Sequence, residues 1–507
     1  MAAALAAMAG IVPAAALAWT GEALPLGVYW AHDVASARPG EAVLLHRTID
    51  GTFATVRPVG AEPEPTQQLD HGWNFYPTLD ASPAGGAVAA WYNEDDVEIR
   101  VAERPPQGGA FALSVAVPGG RSDYSYGQPL VRVNERGDAI VVYLAETAGE
   151  LQQVRALYRP AGGEFGAPEA VSTLAPWGTV VPRDVAVAPD GRAVVGFVQA
   201  GTAHVAVRPP GGPFAPAQSV GGTADEHSWQ SPRVGIDAAG DVVVAWLEIG
   251  PADLTGPVRV AFRRAGEATF GAPRESGVRA SDLGRLALGV SDAGELVLVV
   301  EAESSNPDGV STHLEGLHVL MGNARAGRLS APQRITDGWG SYPSLGMNAR
   351  GDAVVAWDDC CPLAVRARRR APLEGFGRIE DLRPPIEFEG TRGGIVVRTT
   401  DVDERGNARV TYEDFEEDRT YLATADPFVE TDPPPVAALG DFVAPVLTDP
   451  PPSEGDVTPT ADSGGGGSLP PPAPPPPVRP FAWPAAADRA APRLSVRLGR
   501  TLSGGRR

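Results

Sequence analysis

The stretch Val131-Arg-Val-Asn134-Glu-Arg-Gly137-Asp-Ala-Ile-Val-Val-Tyr143 decides the fold. It reads as a hairpin: a short β run, a turn, and a second β run closed by a large residue. The Asn side chain can hold the turn's backbone NH groups, and Gly takes the positive φ that side chains resist. Val and Ile at period two fill the flanks. The phrase returns as Val-Gly-Ile-Asp237-Ala-Ala-Gly240-Asp-Val-Val-Val-Ala-Trp246 and as Leu-Gly-Met-Asn348-Ala-Arg-Gly351-Asp-Ala-Val-Val-Ala-Trp357. Weaker copies centre on Gly85, Gly191, Gly294 and Gly406, at a mean spacing of about 54 residues. Six residues after each Gly stands Trp91, Tyr143, Phe197, Trp246, Val300, Trp357 or Tyr412.

If these two runs are strands a and b, a third follows, such as Val258-Arg-Val-Ala-Phe-Arg263. A second glycine turn then leads to a fourth run, as at Gly108-Gly-Ala-Phe111, Gly162-Gly-Glu-Phe165 and Gly211-Gly-Pro-Phe214. Four antiparallel strands in some fifty residues make one propeller blade. Seven a–b turns are legible, and seven c–d turns near Gly51, Gly109, Gly163, Gly212, Gly271, Gly327 and Gly375. The first c–d turn and the last a–b turn lack partners, so the expected fold is all-β: a seven-bladed propeller closed by its N- and C-terminal strands. Eight blades is the alternative, if residues 28–31 supply a b strand and the run from Arg419 a c strand. Pro77, Pro129, Pro182, Pro232 and Pro343 mark the entry to strand a, whose inner edge faces a channel and tolerates a missing NH.

The ends differ from the middle. Residues 1–19 carry no charge, and Ala16-Leu-Ala18 suits signal cleavage before Trp19. Residues 1–18 are therefore read as a signal peptide and residues 19–430 as the propeller, secreted or held at the cell surface. Residues 431–487 hold 17 Pro and form a Pro/Gly-rich linker, expected to be disordered. Residues 488–507 make a short basic tail, or a truncated β domain. From Arg479 onward there are 7 Arg and 1 Asp, a local charge of +6, against −21 for the whole chain. A weak contact between this tail and an anionic cell envelope is expected. The overall acidity argues against nucleic acid as partner. All 42 basic residues are Arg, and two Cys exclude a disulfide scaffold.

The blades resemble those of exported bacterial β-propeller repeat proteins of the sialidase-like superfold, many without assigned function. The resemblance rests on the turn phrase over some 400 residues and implies the fold. In sialidases the Asp-box occupies the c–d turn, whereas the Asp/Asn-x-x-Gly phrase of this chain occupies the a–b turn, so sialidase activity is not implied.

Candidate ligand-binding residues fall in the loops from strand d of one blade to strand a of the next. Trp73, Trp177, Trp229 and Trp339 lie 11 to 14 residues before a turn Gly, with Tyr76, Tyr126 and Tyr342 in the same loops. They suit stacking on sugar rings or gripping a peptide, or else packing at the blade tops. Arg183, Arg233 and Arg398 near the starts of strand a, with Arg132 and Arg285, suit either an anion-binding ring or pairing with acidic loops. Adjacent Cys360 and Cys361 suggest a vicinal disulfide. Asp358 and Asp359 beside them are the only hint of Ca²⁺, without the spaced oxygen ligands such a site needs. No HExxH, GxSxG, Walker A or GxGxxG phrase stands in a suitable setting, and no cofactor is expected. The leading functional expectation is a monomeric binding module for an extracellular glycan or protein. The runner-up is a glycan-active hydrolase or lyase.

Overall fold

A computed structural model describes residues 19–24, 33–38, 40–58, 62–119, 128–147, 151–222, 232–249, 255–281, 285–303, 314–338, 340–359, 363–386, 394–415, 417 and 419–428. All fall within the first of the chain's two structural units, Met1–Ala444. The signal segment, the linker, the basic tail, residues 28–31, Tyr126, Trp229, Trp339, Cys360 and Cys361 lie outside the described residues.

The described chain is all β-strand and forms eight antiparallel sheets, each one blade. The inner strands a are Asp33–Ser36, Asn74–Ala81, Leu130–Val133, Val180–Val187, Arg233–Ile236, Leu286–Val290, Gly340–Met347 and Ile395–Val402, for blades 1 to 8 in order. The expectation of seven blades is corrected to eight. Gly51 does not sit in a c–d turn. It closes the tight b–c hairpin of a complete first blade, between Glu41–Thr48 and Gly51–Pro58. That blade's a–b turn is at Arg38 and Gly40, where the Glu41 NH donates to the Arg38 carbonyl. It lacks the Asn or Asp that opens the turns of blades 3, 5, 7 and 8. At the far end, Arg419–Ala425 is indeed a c strand, and it pairs with Ala408–Asp414 in its own blade.

Blade 8 takes its outer strand from the other end of the chain. Thr20–Ala23 pairs antiparallel with Arg419–Ala425, Thr20 opposite Thr424 and Ala23 opposite Tyr421. This gives the last blade a fourth strand and closes the ring by backbone hydrogen bonds between its two ends. Just before it, Trp19 is buried between blades 7 and 8. Its indole NH donates to Glu380, which also accepts two bonds from Arg369 at 2.9 and 3.0 Å. The Arg369 guanidinium lies 5.3 Å from the Trp19 ring centre and 5.5 Å from that of Phe428. Both ends of the ring thus close on one arginine.

The core is eight hydrophobic clusters, one between each pair of neighbouring blades, the last joining Leu422 of blade 8 to Val34, Ala42 and Leu44 of blade 1. The large residue six after each turn Gly belongs to this layer. Trp91, Tyr143, Phe197, Trp246, Val300, Trp357 and Tyr412 are all buried, and His46 takes the same place in blade 1. Flat sheets with apolar strands b and c can bury both faces only by stacking around a circle.

The a–b turns stitch the opposite face of the ring. The Asn134 side chain accepts the Arg136 and Asp138 NH groups and donates to the Ala188 carbonyl in the next blade's turn, at 2.8 Å. Asn348 repeats this, donating to the Asp403 carbonyl at 2.8 Å. The turn phrase therefore specifies both the hairpin and its contact with the following blade.

Candidate functional site

The eight inner strands surround an axial cavity of about 730 Å³. Each inner strand has a free edge, and in blades 2, 3 and 5 a carboxylate from the preceding blade binds it. Leu79 NH donates to Asp33 at 2.8 Å, Val133 NH to Asp80 at 2.7 Å, and Val234 NH to Asp184 at 3.0 Å. Burial pushes Asp33 and Asp80 up to about 6, against the pull of these NH groups and of Arg132. Arg132 stands inside the channel, reachable by water yet surrounded by protein, with Asp184 at 3.9 Å. Burial pulls its guanidinium down, but Asp80, Asp184 and Asp33 more than offset this and hold it above the ordinary arginine range.

Four of the sequence-derived residues share one local cause: inner strands carry extra residues near the channel mouth. Register slips between Phe75 and Thr78, Pro182 and Asp184, Ser341 and Ser344, and Val397 and Thr399. The bulged residues include Tyr76, Arg183, Tyr342 and Arg398. A bulge re-aims the side chain it carries and is common beside active sites. Tyr76 and Tyr342 occupy equivalent Tyr-Pro positions in blades 2 and 7, at φ of 49° and 54°. Left-handed φ at a bulky residue costs roughly 1–2 kcal/mol, so both tyrosines are held against a local preference.

The arginines divide. Arg398 pairs with Glu413 of the neighbouring strand b, its Nε at 2.8 Å, and not with an acidic loop. Arg233 donates to the Leu286 carbonyl at 2.9 Å and the Arg183 carbonyl at 3.1 Å. Burial lowers the Arg233 pKa and the charges of Arg132 and Arg285 lower it further, with Asp184 opposing. Arg285 lies over the Tyr342 ring, 3.9 Å from its centre.

Sequence reasoning missed the residue seven after each turn Gly. In blades 2 to 5 it is Tyr92, Leu144, Val198 and Leu247; in blades 6, 7, 8 and 1 it is Glu301, Asp358, Glu413 and Arg47. The register of the repeat contains this signal once all eight turns are aligned. Glu301 is only 5% exposed, and its carboxylate faces the Tyr342 NH at 3.4 Å. Burial pushes it up to about 7 against the pull of Arg285. Asp358 accepts from the Ser341 hydroxyl at 3.2 Å, while its Oδ1 is buried without a hydrogen-bond partner among the described residues. Burial pushes Asp358 up to about 7 as well; the Ser341 bond pulls the other way, and the charge of Glu301 adds to the rise. Asp359 turns away to Arg366, at 2.7 Å. Among the described residues no group of three His, Cys, Asp or Glu is placed to hold a metal ion.

The loops around this mouth are also where apolar side chains meet water. Among the described residues nine large hydrophobic side chains are exposed, and seven lie at this end of the blades, in d–a or b–c connections or at the start of a strand a: Ile49, Trp73, Val97, Leu174, Trp177, Tyr342 and Phe415. Trp73 and Trp177 are 63% and 45% exposed, so neither is blade-top packing. The opposite turns contribute Leu373, and the outer flank Leu113.

No protein-family model matches the chain, and no curated protein sequence matches it. Solved structures do. The β-propeller domain of the Trilobed protease from Pyrococcus furiosus, described as an open velcro topology, shares 8% identity over 70% of this chain and 98% of its own, with a TM-score of 0.39. The polysaccharide lyase Uly1 shares 11% over 80% of this chain and 91% of its own, at 0.41. The α-L-arabinanase of Penicillium chrysogenum, complexed with arabinobiose, shares 13% over 70% and 93%, at 0.38. What the chain's own sheets establish is an all-β propeller of eight blades, closed between its first and last strands.

Proposed function

We propose that this chain is an exported binding module that holds an extracellular glycan across the channel mouth. The observation that carries the reading is the concentration of exposed aromatic and apolar side chains on that one face. Contiguous exposed apolar surface marks binding sites more often than it occurs by default. Trp73, Trp177 and Tyr342 offer flat ring faces, and the neighbouring charged groups offer the donors and acceptors that sugar hydroxyls need. The apolar residues 1–18 support export. The test is a glycan array probed with residues 19–430 and with Trp73→Ala and Trp177→Ala. Retention of one glycan class, weakened about tenfold by either substitution, is the expected result. Unchanged binding by both variants would remove the aromatic face from the account.

A second reading has its own support. Glu301 and Asp358 belong to adjacent blades, the charge of Glu301 adds to the rise of Asp358, and both hold protons up to about 7. Paired carboxyls with pKa near neutrality suit general acid–base work. If the bound glycan is also cleaved, reducing ends appear over time and Glu301→Gln abolishes them even at glycan concentrations that saturate binding. Binding with no release of reducing ends assigns the module reading alone.

A further inference from the structure

At two points on the mouth face an exposed aromatic ring stands beside carboxylates that the protein's own cations do not balance. The first is in blade 2. The Trp73 NH donates to Asp95 at 3.2 Å, and the Trp73 carbonyl accepts the Glu94 NH at 2.9 Å. The ring and both acidic residues are exposed. Asp96, the next residue, is taken by Arg100, but among the described residues no arginine pairs with Glu94 or Asp95. The second point lies between blades 6 and 7, where half-exposed Tyr342 stands beside Glu301 and Asp358. Glu301 accepts the Tyr342 NH at 3.4 Å, and Asp358 accepts the neighbouring Ser341 hydroxyl at 3.2 Å. The other Asp358 oxygen is buried without a partner among the described residues. Arg285, 3.9 Å from the Tyr342 ring centre, is one cation against two carboxyls. Burial therefore keeps both protonated up to about 7, and a further cation beside them favours their ionised forms.

Other charges on this side are matched: Arg100, Arg259, Arg366 and Arg398 each lie against a carboxylate. The two unbalanced points are thus local features with one chemistry in common. A ring face beside a carboxylate attracts an ammonium group twice, through the ring quadrupole and through charge. The net charge of −21 repels a polyanion and draws in a polycation. Flat ring faces suit a pyranose, and an amino sugar carries an apolar ring face and an ammonium group in one residue. The two points are three blades apart. With stacked sheets about 10 Å from one another, that is about 30 Å around the ring, so a polymer reaches both and a single sugar does not.

We propose that the glycan held at the mouth carries free amino groups, as a polymer of hexosamine does, and that its ammonium groups lie against Asp95 beside Trp73 and against Asp358 beside Tyr342. This rests on the mouth being a glycan-binding face, and it names the class of glycan. The rings take the sugar faces and the carboxylates take the charge. N-acetylation removes the charge and keeps the sugar ring, so it separates the two contributions.

The experiment titrates a β-1,4-linked glucosamine hexamer, and separately its fully N-acetylated counterpart, into the full chain at pH 6. Calorimetry is run at about 50 and about 300 mM NaCl. The free-amine hexamer is expected to bind at least about tenfold more tightly than the acetylated one, and to lose at least about fivefold at the higher salt. Asp95→Asn and Asp358→Asn keep an acceptor for the Trp73 NH and for the Ser341 hydroxyl, so they remove charge and spare the fold. Each is expected to weaken the free-amine hexamer at least about threefold and to leave the acetylated one unchanged. An affinity that one substitution leaves unchanged removes that point from the proposal, and an affinity that both leave unchanged overturns it. An acetylated hexamer bound as tightly as the free amine overturns it too. Oligolysine retained in place of the hexosamine assigns the surface to a basic peptide, with the same result. The glycan array separates this proposal from the reading beneath it. Retention of a neutral or acidic glycan alone sinks the amine assignment and leaves the glycan reading standing; retention of no glycan of any class sinks the reading itself.

Discussion

Replacing Glu301 with Gln should stabilise the propeller at pH 8 and leave it unchanged at pH 5. Glu301 is 5% exposed, and burial pushes its pKa up to about 7 from an ordinary 4.5. Between those values the folded protein holds a proton that the unfolded chain has released. Stability therefore falls as pH rises through that window, and the loss is complete above the folded pKa. A shift of roughly 2.5 units corresponds to about 3 kcal/mol between pH 4.5 and pH 8. Gln keeps an acceptor for the Tyr342 NH and carries no charge, so it removes the loss without removing the contact. Asp358 reinforces the difference, because its own rise draws partly on the charge of Glu301. His204 acts with the opposite sign: burial lowers its pKa, so its stabilising contribution is lost as pH falls through about 6.5. That effect is common to both proteins and cancels in the comparison. The assay is urea denaturation of residues 19–430 and of the variant at pH 5, 6, 7 and 8, read as the difference in midpoint. The difference should grow from near zero to the equivalent of about 2–3 kcal/mol. A variant no more stable than the parent at pH 8 would show that the carboxylate is solvated or fully compensated there, and the assignment of a buried proton would fail.

Three further outcomes follow from the ring. Trp19→Ala removes the buried indole from the blade 7–blade 8 seam and leaves Glu380 one donor short; denaturation should report a loss of about 3–5 kcal/mol. Gly137 sits at φ 91° with open space around the position of a Cβ, so Gly137→Ala tests backbone strain alone and should cost about 1–2 kcal/mol by the same measurement. Trp73→Ala, at an exposed loop residue, should leave the denaturation midpoint within about 0.5 kcal/mol of the parent while weakening glycan retention about tenfold.

The fold was legible because the a–b turn leaves a chemical trace. Asn134, Asp237, Asn348 and Asp403 each hold turn NH groups with a side-chain oxygen, and Ser291 does the same in blade 6. The blade number was not, because the turn at Gly40 lacks the trace and stands 45 residues before Gly85, short of the mean spacing of about 54. At Gly40 the link to the neighbouring turn is made by the carboxylate of Asp403 across the closing seam, so blade 1 needs no Asn of its own. Asp50-Gly51 then supplied a counterfeit, a two-residue b–c hairpin with the composition of a c–d turn. The site was half legible. Aromatic and arginine residues near the strand a entries could be picked out, and Tyr76 and Tyr342 are flagged by the proline that follows. The bulges that aim them are not, since an extra residue in a strand is a matter of pairing and does not disturb local pattern. Glu301 and Asp358 look in isolation like surface carboxylates at the ends of strands. Only alignment against Tyr92, Leu144, Val198 and Leu247 shows that the position is otherwise apolar.

That alignment localises function more sharply than any single residue does. A propeller is stable when every blade does the same thing, so eight equivalent positions should drift toward the same apolar solution. Four consecutive blades, 6, 7, 8 and 1, place Glu301, Asp358, Glu413 and Arg47 where the other four place apolar side chains. A buried charge is costly unless paired, and the pairs have been built: Arg398 for Glu413, and the Asn74 carbonyl and the Phe75 ring for Arg47. Asp358 keeps one oxygen without a partner among the described residues. Stability does not account for a departure confined to one contiguous half of the ring at one end of the channel. Contact with the proposed ligand, if it approaches that half, would account for it, and the proposal then predicts an order among variants. Substitutions at Glu301 and Asp358 should change ligand retention. The corresponding changes in blades 3 to 5, at Leu144, Val198 and Leu247, should change stability alone. Equal effects on retention from both halves would mean the ligand reads the whole circle, and the charged sector would then be a feature of packing.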